Sequence, residues 1–297
     1  MLYLIIFIAL SLLALVALAY LGSNYLMARR KPDPPASPAD LDLAFEDVEF
    51  QSGDGTTLRG WYSPARSVPA ARQVLSAPTV VICPGANGSM DADTAFLPWF
   101  HNLDLNVLIF DWRAHGRSDG QITTLGYDER YDLIAAVEYA RSRGASKIGV
   151  LGLSMGGTVA LSTAAICPDI DAVAADSAFV HIVTAVAAGL SERGLPDSVS
   201  YSIARLILVT AGLRLGKNLF EADPVRWIDR VAPRPLLLIY GERDPFAPRV
   251  EVELLYRRAG EPRDIWRVPQ AAHREIQALQ PDDYRQRLTR FFEDNLR

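Results

Sequence analysis

Ile148, Gly149, Val150, Leu151, Gly152, Leu153, Ser154, Met155, Gly156, Gly157, Thr158, Val159, Ala160 and Leu161 form the stretch on which the fold turns. Residues 148–151 are an apolar run of strand length, and residues 158–161 open a good helix. Between them stands Gly-x-Ser-x-Gly. The bare pattern arises readily by chance; a strand before it and a helix after it make it specific. A sharp turn of this kind holds its serine in a strained backbone conformation, and side chains two residues either side would clash. Gly152 and Gly156 are therefore expected to be obligatory, with Gly157 adding room, and Ser154 is the candidate nucleophile. The competing reading is a glycine-rich turn with an ordinary serine N-cap.

Outward from this stretch, short apolar runs recur at residues 79–83, 107–110, 172–175, 236–240 and 265–268. Helix-length segments separate most of them; residues 127–143, with Leu133, Ile134, Val137 and Tyr139 on one stripe, are the clearest. Such alternation predicts an α/β fold with a mostly parallel sheet. Before it, two β-like stretches between residues 43 and 63 flank Ser52, Gly53, Asp54 and Gly55, which predicts an opening antiparallel hairpin followed by a small-residue loop. Residues 180–222 break the rhythm with apolar but glycine-punctuated sequence, the pattern of a small helical cap insertion.

The formal charge of −5 over 297 residues gives no broad positive field for nucleic acid. Cys83 and Cys167 sit in or beside apolar runs, suggesting small buried hydrophobes rather than a disulfide. His101, His115, His181 and His273 show no metal-ligand spacing, so neither metal nor cofactor is expected.

Residues 2–21 are apolar apart from Ser11 and the hydroxyls of Tyr3 and Tyr20, long enough to cross a hydrocarbon core. No Lys or Arg precedes this run, which favours a retained anchor over a secretory signal, although Ala17, Leu18 and Ala19 could mimic a cleavage site and lead to export. Arg29, Arg30 and Lys31 follow the run and predict that the catalytic domain stays cytoplasmic. Pro32, Pro34, Pro35 and Pro38 then predict an extended, semi-rigid spacer. The organisation read from the sequence is an anchor over 1–28, a Pro-rich linker over 29–42 and one catalytic domain over 43–297.

Three further motifs stand in order. Asp111, Trp112, Arg113, Ala114, His115, Gly116, Arg117 and Ser118 match D-x-R-G-x-G-x-S with alanine at the first glycine. Arg234 and Pro235 lead an apolar strand into Gly241, Glu242, Arg243 and Asp244, and Ala272 and His273 stand near the end. With the serine turn, these make the chain from about residue 44 onward resemble an α/β-hydrolase of the lipase, esterase and serine-peptidase type. That resemblance implies chain order Ser, acid, His. His273, in a loop after the last strand-like run, is the base expected to take the serine proton; His181 follows its strand too soon to leave room for an acid. His115 reads as a loop-packing residue. Asp244 is the first choice of acid and Asp176 the second, because some members of the fold carry the carboxylate on the earlier strand. The oxyanion donors are expected from the N–H of Met155 and, after the third strand, of Ala86. Phe96, Trp99, Phe100, Trp112, Met155 and Phe179 could line an acyl site, although such residues more often form plain core.

The expected activity is hydrolysis of a carboxylic ester or thioester through an acyl-serine, on a lipid-like or acylated substrate, the ground for the substrate being that the domain lies beside a membrane. A serine peptidase on the same residues, and a catalytically inactive hydrolase fold acting as an interaction module, remain open alternatives.

Overall fold

The computed structural model describes residues 1–66 and 77–297; the small-residue loop read after the hairpin lies largely outside the described residues. Eight strands form one sheet in the order β1-β2-β4-β3-β5-β6-β7-β8. They are β1 (Glu46–Gln51), β2 (Thr57–Ser63), β3 (Thr79–Cys83), β4 (Asn106–Phe110), β5 (Ile148–Leu153), β6 (Ala172–Asp176), β7 (Leu236–Gly241) and β8 (Arg263–Val268). β1 and β2 pair antiparallel, as do β2 and β4, and every later neighbour is parallel. The α/β class and the hairpin-opened, mostly parallel sheet are as the apolar runs imply.

The helices are α1 (Leu2–Met27), α2 (Leu97–His101), α3 (Glu129–Ser142), α4 (Met155–Ala164), α5 (Ile182–Glu192), α6 (Asp197–Leu215), α7 (Arg249–Arg258), α8 (Ile276–Leu279) and α9 (Pro281–Leu296). The side-chain period of two sorts the central strands onto two faces. Val81, Cys83 and Val150 join a core with Leu133, Val137 and Val159 of α3 and α4. Val80, Ile82 and Leu151 join a second core with Phe100 of α2 and Tyr284, Leu288 and Phe292 of α9. Both faces of the sheet are covered, as a parallel sheet requires. α3 starts two residues later than its apolar stripe suggests. The Glu129 carboxylate accepts from the Thr123 and Thr124 hydroxyls and from the Thr124 and Gly126 N–H groups, which holds the preceding residues in a loop.

Between β6 and β7 the chain leaves the sheet for α5 and α6. The last turns of α1 lie against α6: Ala19, Ser23 and Met27 are buried, Arg214 Nη1 donates to Ser23 Oγ (2.5 Å), and a Cβ at Gly22 would stand 2.5 Å from Ile207 Cδ1. The first four turns carry large exposed apolar side chains on every side, among them Leu4, Phe7, Leu10 and Leu13.

Residues 29–42 differ from the extended spacer their prolines imply. Arg29 Nη1 donates to the carbonyls of Ser118 (2.9 Å) and Gly120 (2.7 Å), and its Nη2 to that of Gly116 (2.7 Å). Asp33 accepts from Ser89 N (2.7 Å) while its own N–H donates to Ser89 Oγ (3.0 Å), and Ala36 N donates to Asp91 Oδ1 (3.0 Å). Ser37 then caps a 3₁₀ turn over Pro38–Leu41 with a reciprocal bond to Asp40. Prolines disfavour α-helix and strand here, but they leave the intervening N–H groups and side chains free to bond, and the loops after β3 and β4 present matching partners. The segment is a strap laid on the domain.

Candidate functional site

At the C-terminal end of β5 the chain turns through Ser154, with φ 55° and ψ −118°, straight into α4. The left-handed φ is costly for a residue with a side chain and persists only where the surroundings impose it. They do so through absent side chains: a Cβ at Gly152 would overlap the Gly156 carbonyl, and a Cβ at Gly156 would overlap the carbonyl of Cys83 at the end of β3. Ser154 N donates to Asp176 O (2.8 Å), tying the turn to β6. The serine side chain thereby projects above the sheet, with Met155 as the first residue of α4, where helix N–H groups have no intrahelical acceptor.

Ser154 Oγ lies 2.8 Å from His273 Nε2, and His273 Nδ1 lies 2.7 Å from Asp244 Oδ2. A carboxylate only accepts, so it keeps the ring proton on Nδ1 and leaves Nε2 to accept from the serine hydroxyl. Asp244 sits on the turn after β7, its other oxygen accepting from Phe246 N (2.8 Å), and the Phe246 ring lies 4.7 Å from that of His273. The loop bearing His273 follows β8 and bonds to the end of β7, where Arg243 N donates to Ala271 O (3.0 Å). Gly241 is needed at that crossing because a Cβ would overlap the Ala271 carbonyl.

Asp176 is elsewhere engaged. Its Oδ2 accepts from Tyr284 Oη (2.7 Å), its Oδ1 from Ser177 Oγ (2.9 Å), and burial raises its carboxyl above the usual range. Of the two acids read from the sequence, Asp244 is the one in hydrogen-bond contact with His273.

The loop after β3 lies against the serine: a Cβ at Gly85 would stand 3.7 Å from Ser154 Cβ. Trp112 Nε1 fixes the loop through Pro84 O (2.9 Å). The Ala86 carbonyl is gripped from two sides, by Arg30 Nε (3.1 Å) and His115 Nε2 (3.1 Å), while His115 Nδ1 lies 2.7 Å from Arg113 O. His115 is thus the loop-packing residue its place before Gly116 suggests. Ala114 has φ 56°, the conformation that the glycine of the resembled motif would adopt without strain. Cys83 and Cys167 are free and buried. Among the described residues no three His, Cys, Asp or Glu side chains stand together as a metal site.

Ser154 and His273 open into a cavity of about 240 Å³. Its floor is the serine turn with Ala86, Asn87 and Phe246, and its roof is Ile182, Val186 and Leu190 of α5, Ile207 of α6, and Gly22, Tyr25 and Leu26 of α1. Phe179 lines it as the sequence suggests, whereas Phe96, Phe100 and Trp112 are fully buried in the core. The contributions of α1, Arg30 and Arg193 are not legible in the sequence, where Arg30 reads only as a charge flanking a hydrophobic run. In the structure Arg30 donates to the carbonyls of Leu26 (2.8 Å), Tyr25 (3.2 Å) and Ala86, joining the end of α1 to the loop after β3. Burial lowers its guanidinium from the usual value.

This order of strands, with a serine turn after β5, an acid after β7 and a histidine after β8, decides the architecture. The fold is that of the α/β hydrolases. A family model described as alpha/beta hydrolase fold matches residues 78–193. The Escherichia coli O157:H7 protein YfhR, itself uncharacterised, is 29% identical over 250 residues, covering 83% of this chain and 80% of YfhR. The uncharacterised Bacillus subtilis protein YqkD is 28% identical over 265 residues, covering 86% and 83%. Among solved structures, the Pyrococcus furiosus esterase Pf2001 superposes with a TM-score of 0.74 at 27% identity, covering 91% of this chain and 99% of the esterase. The hydrolase fold and its esterase neighbour support a hydrolytic activity.

Proposed function

We propose that the chain is a serine hydrolase that cleaves a carboxylic ester or thioester through an acyl-serine. The observation that carries this reading is the unbroken hydrogen-bond chain from Ser154 Oγ through His273 to Asp244 at a largely apolar cavity. His273 Nε2 takes the hydroxyl proton as Ser154 Oγ attacks the carbonyl carbon; Asp244 stabilises the imidazolium so formed. Met155 N–H and Ala86 N–H donate to the oxygen that gains negative charge. The tetrahedral intermediate expels the alcohol or thiol, which takes the proton from His273, and water repeats the sequence to release the acid. The likeness to the Pyrococcus esterase supports ester cleavage.

α1 holds this enzyme at a membrane. Its most apolar 18 residues have a mean hydropathy of 2.9 and are scarcely buried by the domain, and the 26-residue helix is long enough to span a membrane. Arg29, Arg30 and Lys31 at its domain end keep the hydrolase on the cytoplasmic side.

A fluorophosphonate probe tests the chemistry: it labels the wild-type protein and fails to label Ser154→Ala. Labelling that survives this substitution sinks the assignment. A series of esters, thioesters and amides of rising acyl length then ranks the leaving group. C-terminal reporters active on one side of the membrane only fix the orientation, and a mature chain beginning near Tyr20 would reveal a cleaved signal instead.

A further inference from the structure

The cavity above Ser154 carries charge of one sign. Arg30 and Arg193 both line it, and its lining includes no Asp or Glu. The hydrogen bonds of Arg30 end on neutral carbonyl oxygens, and Arg193 donates to Gly189 O (2.5 Å) and Tyr25 Oη (3.2 Å). Among the described residues neither forms an ion pair. Glu129 reaches Arg30 only through its field, being itself saturated by Thr123, Thr124 and Gly126. Burial lowers the Arg30 guanidinium; the fields of Tyr25 and Glu129 offset part of this, and that of Arg193 adds a little to it. Arginine keeps its charge in proteins. Arg30 is half-buried and Arg193 exposed, and an anion between them would meet two cations with no acidic side chain in the lining to compete for them.

Most of the remaining lining is apolar. Ala185, Val186, Leu190 and Ile207 line it, and Ile207 meets Gly22 in the last turns of α1. At about 240 Å³ the space falls below the ~300 Å³ at which pockets for drug-sized ligands begin, which suits one acyl chain rather than two. The wall contributed by α1 places that chain beside the helix assigned above to the membrane.

Resting on the serine-hydrolase reading, we propose that the substrate is a single-chain acyl ester with a phosphate near the ester, of the lysophospholipid type. Its chain lies along α5 and α6, its ester carbonyl over Ser154 and its phosphate between Arg30 and Arg193. A neutral glyceride would leave the guanidiniums uncompensated, and a purely cationic head would be repelled. Guanidinium also forms strong charge-assisted bonds to phosphate oxygens.

The test uses the full-length protein in non-ionic detergent with three substrates of identical palmitoyl chain: 1-palmitoylglycerol, its 3-phosphate and its 3-phosphocholine. The 3-phosphate is expected to have a kcat/KM about tenfold or more above the neutral ester, the phosphocholine to fall between them, and salt to narrow the gap. Arg193→Gln is expected to collapse the ratio of phosphate to neutral ester toward one, mainly through KM, and Arg193→Lys to retain part of it. Equal rates on neutral and phosphorylated esters overturn the proposal, as does an Arg193→Gln loss shared equally by all three, which would make Arg193 a packing residue for Tyr25. Inorganic phosphate that inhibits as strongly as the lysophosphatidate would overturn it too, in favour of a free-phosphate site. If none of the three esters is cleaved while the probe still labels Ser154, the lipid-phosphate substrate fails and the serine reading stands; absence of labelling removes the reading beneath it.

Discussion

A methyl group added to Gly156 in the floor of the cavity would overlap the Cys83 carbonyl, whereas one added to Gly189 in its roof would approach the far end of Arg193 at 3.3 Å and rest in ordinary contact with Phe246 at 3.9 Å. The floor is backbone against backbone: the serine turn, the end of β3 and the end of β6 are locked by carbonyls that cannot move without breaking the sheet. The roof is side chain against side chain, helices resting on one another through Ile207, Tyr25 and the two arginines. The floor can therefore hold reacting groups to tenths of an ångström, as displacement chemistry needs. The roof can be reshaped with little penalty, which is where one fold can vary its substrate.

The largest effects are expected in the floor. Ser154→Ala and His273→Ala should each lower ester turnover by ~10⁴ to ~10⁶, and the double variant should cost little more, because the two act as a unit. Additive losses, measured by turnover of a chromogenic ester, would mean the residues work separately. The two acids divide the same way. Asp244→Asn is expected to lower turnover by ~10³ to ~10⁴ by favouring the wrong ring tautomer. Asp176→Asn, whose partners are Tyr284 and Ser177, should leave turnover within about tenfold and act instead on thermal stability. The reverse order of severity would move the acid to β6.

These differences also explain what the sequence could and could not disclose. The floor is written in short patterns because each glycine answers one local collision: Gly152, Gly156 and Gly241 are each the only residue that fits where it stands. The order of strands follows from apolar runs that must be buried on both faces. The roof has no such grammar. Arg30 looks like a flanking charge because nothing next to it in sequence reports that Ala86, 56 residues away, will supply its acceptor. The Pro-rich strap reads as a spacer because composition fixes its local conformation but not its partners, Ser89 and Asp91. Arg193 has no motif at all, and its place beside Tyr25 depends on two helices meeting 168 residues apart.

The paired glycines sharpen the contrast in stability. Gly156→Ala should destabilise the protein by about 1–3 kcal/mol or more, since the new carbon displaces the backbone of β3. Gly189→Ala lies inside α5, where alanine is favoured over glycine by up to about 1 kcal/mol, and the flexible Arg193 can yield. It should be neutral or slightly stabilising in thermal melts. Equal destabilisation by both would show that the roof is as rigid as the floor.

The smallest expected effect is a pH dependence at the base of the roof. Asp223 accepts from Ile182 N at the start of α5 (2.7 Å), and burial pushes its carboxyl from 3.8 up to about 6, with His181, Arg226 and Glu251 as its charged neighbours. Its folded form binds the proton more tightly than the unfolded chain, so the stability associated with this group declines as pH rises from about 4 to about 6. His181, with Nδ1 3.1 Å from a Glu251 carboxylate oxygen, is raised chiefly by that carboxylate; what it contributes is complete below the ordinary histidine value and disappears as pH passes its raised value. Both groups thus tilt stability the same way, toward acid. Asp176, also raised by burial, adds a slope of the same sign that is independent of the roof, so the informative quantity is the difference between proteins. Asp223→Asn retains an oxygen for Ile182 N but cannot ionise. Between pH 5 and pH 7 it should recover Tm relative to wild type by an amount on the order of 2–4 °C for each kcal/mol of ionisation penalty removed. A wild-type Tm that falls no further than that of Asp223→Asn across this range would mean that the roof accommodates the ionised carboxylate, by admitting water or by drawing Arg226 closer.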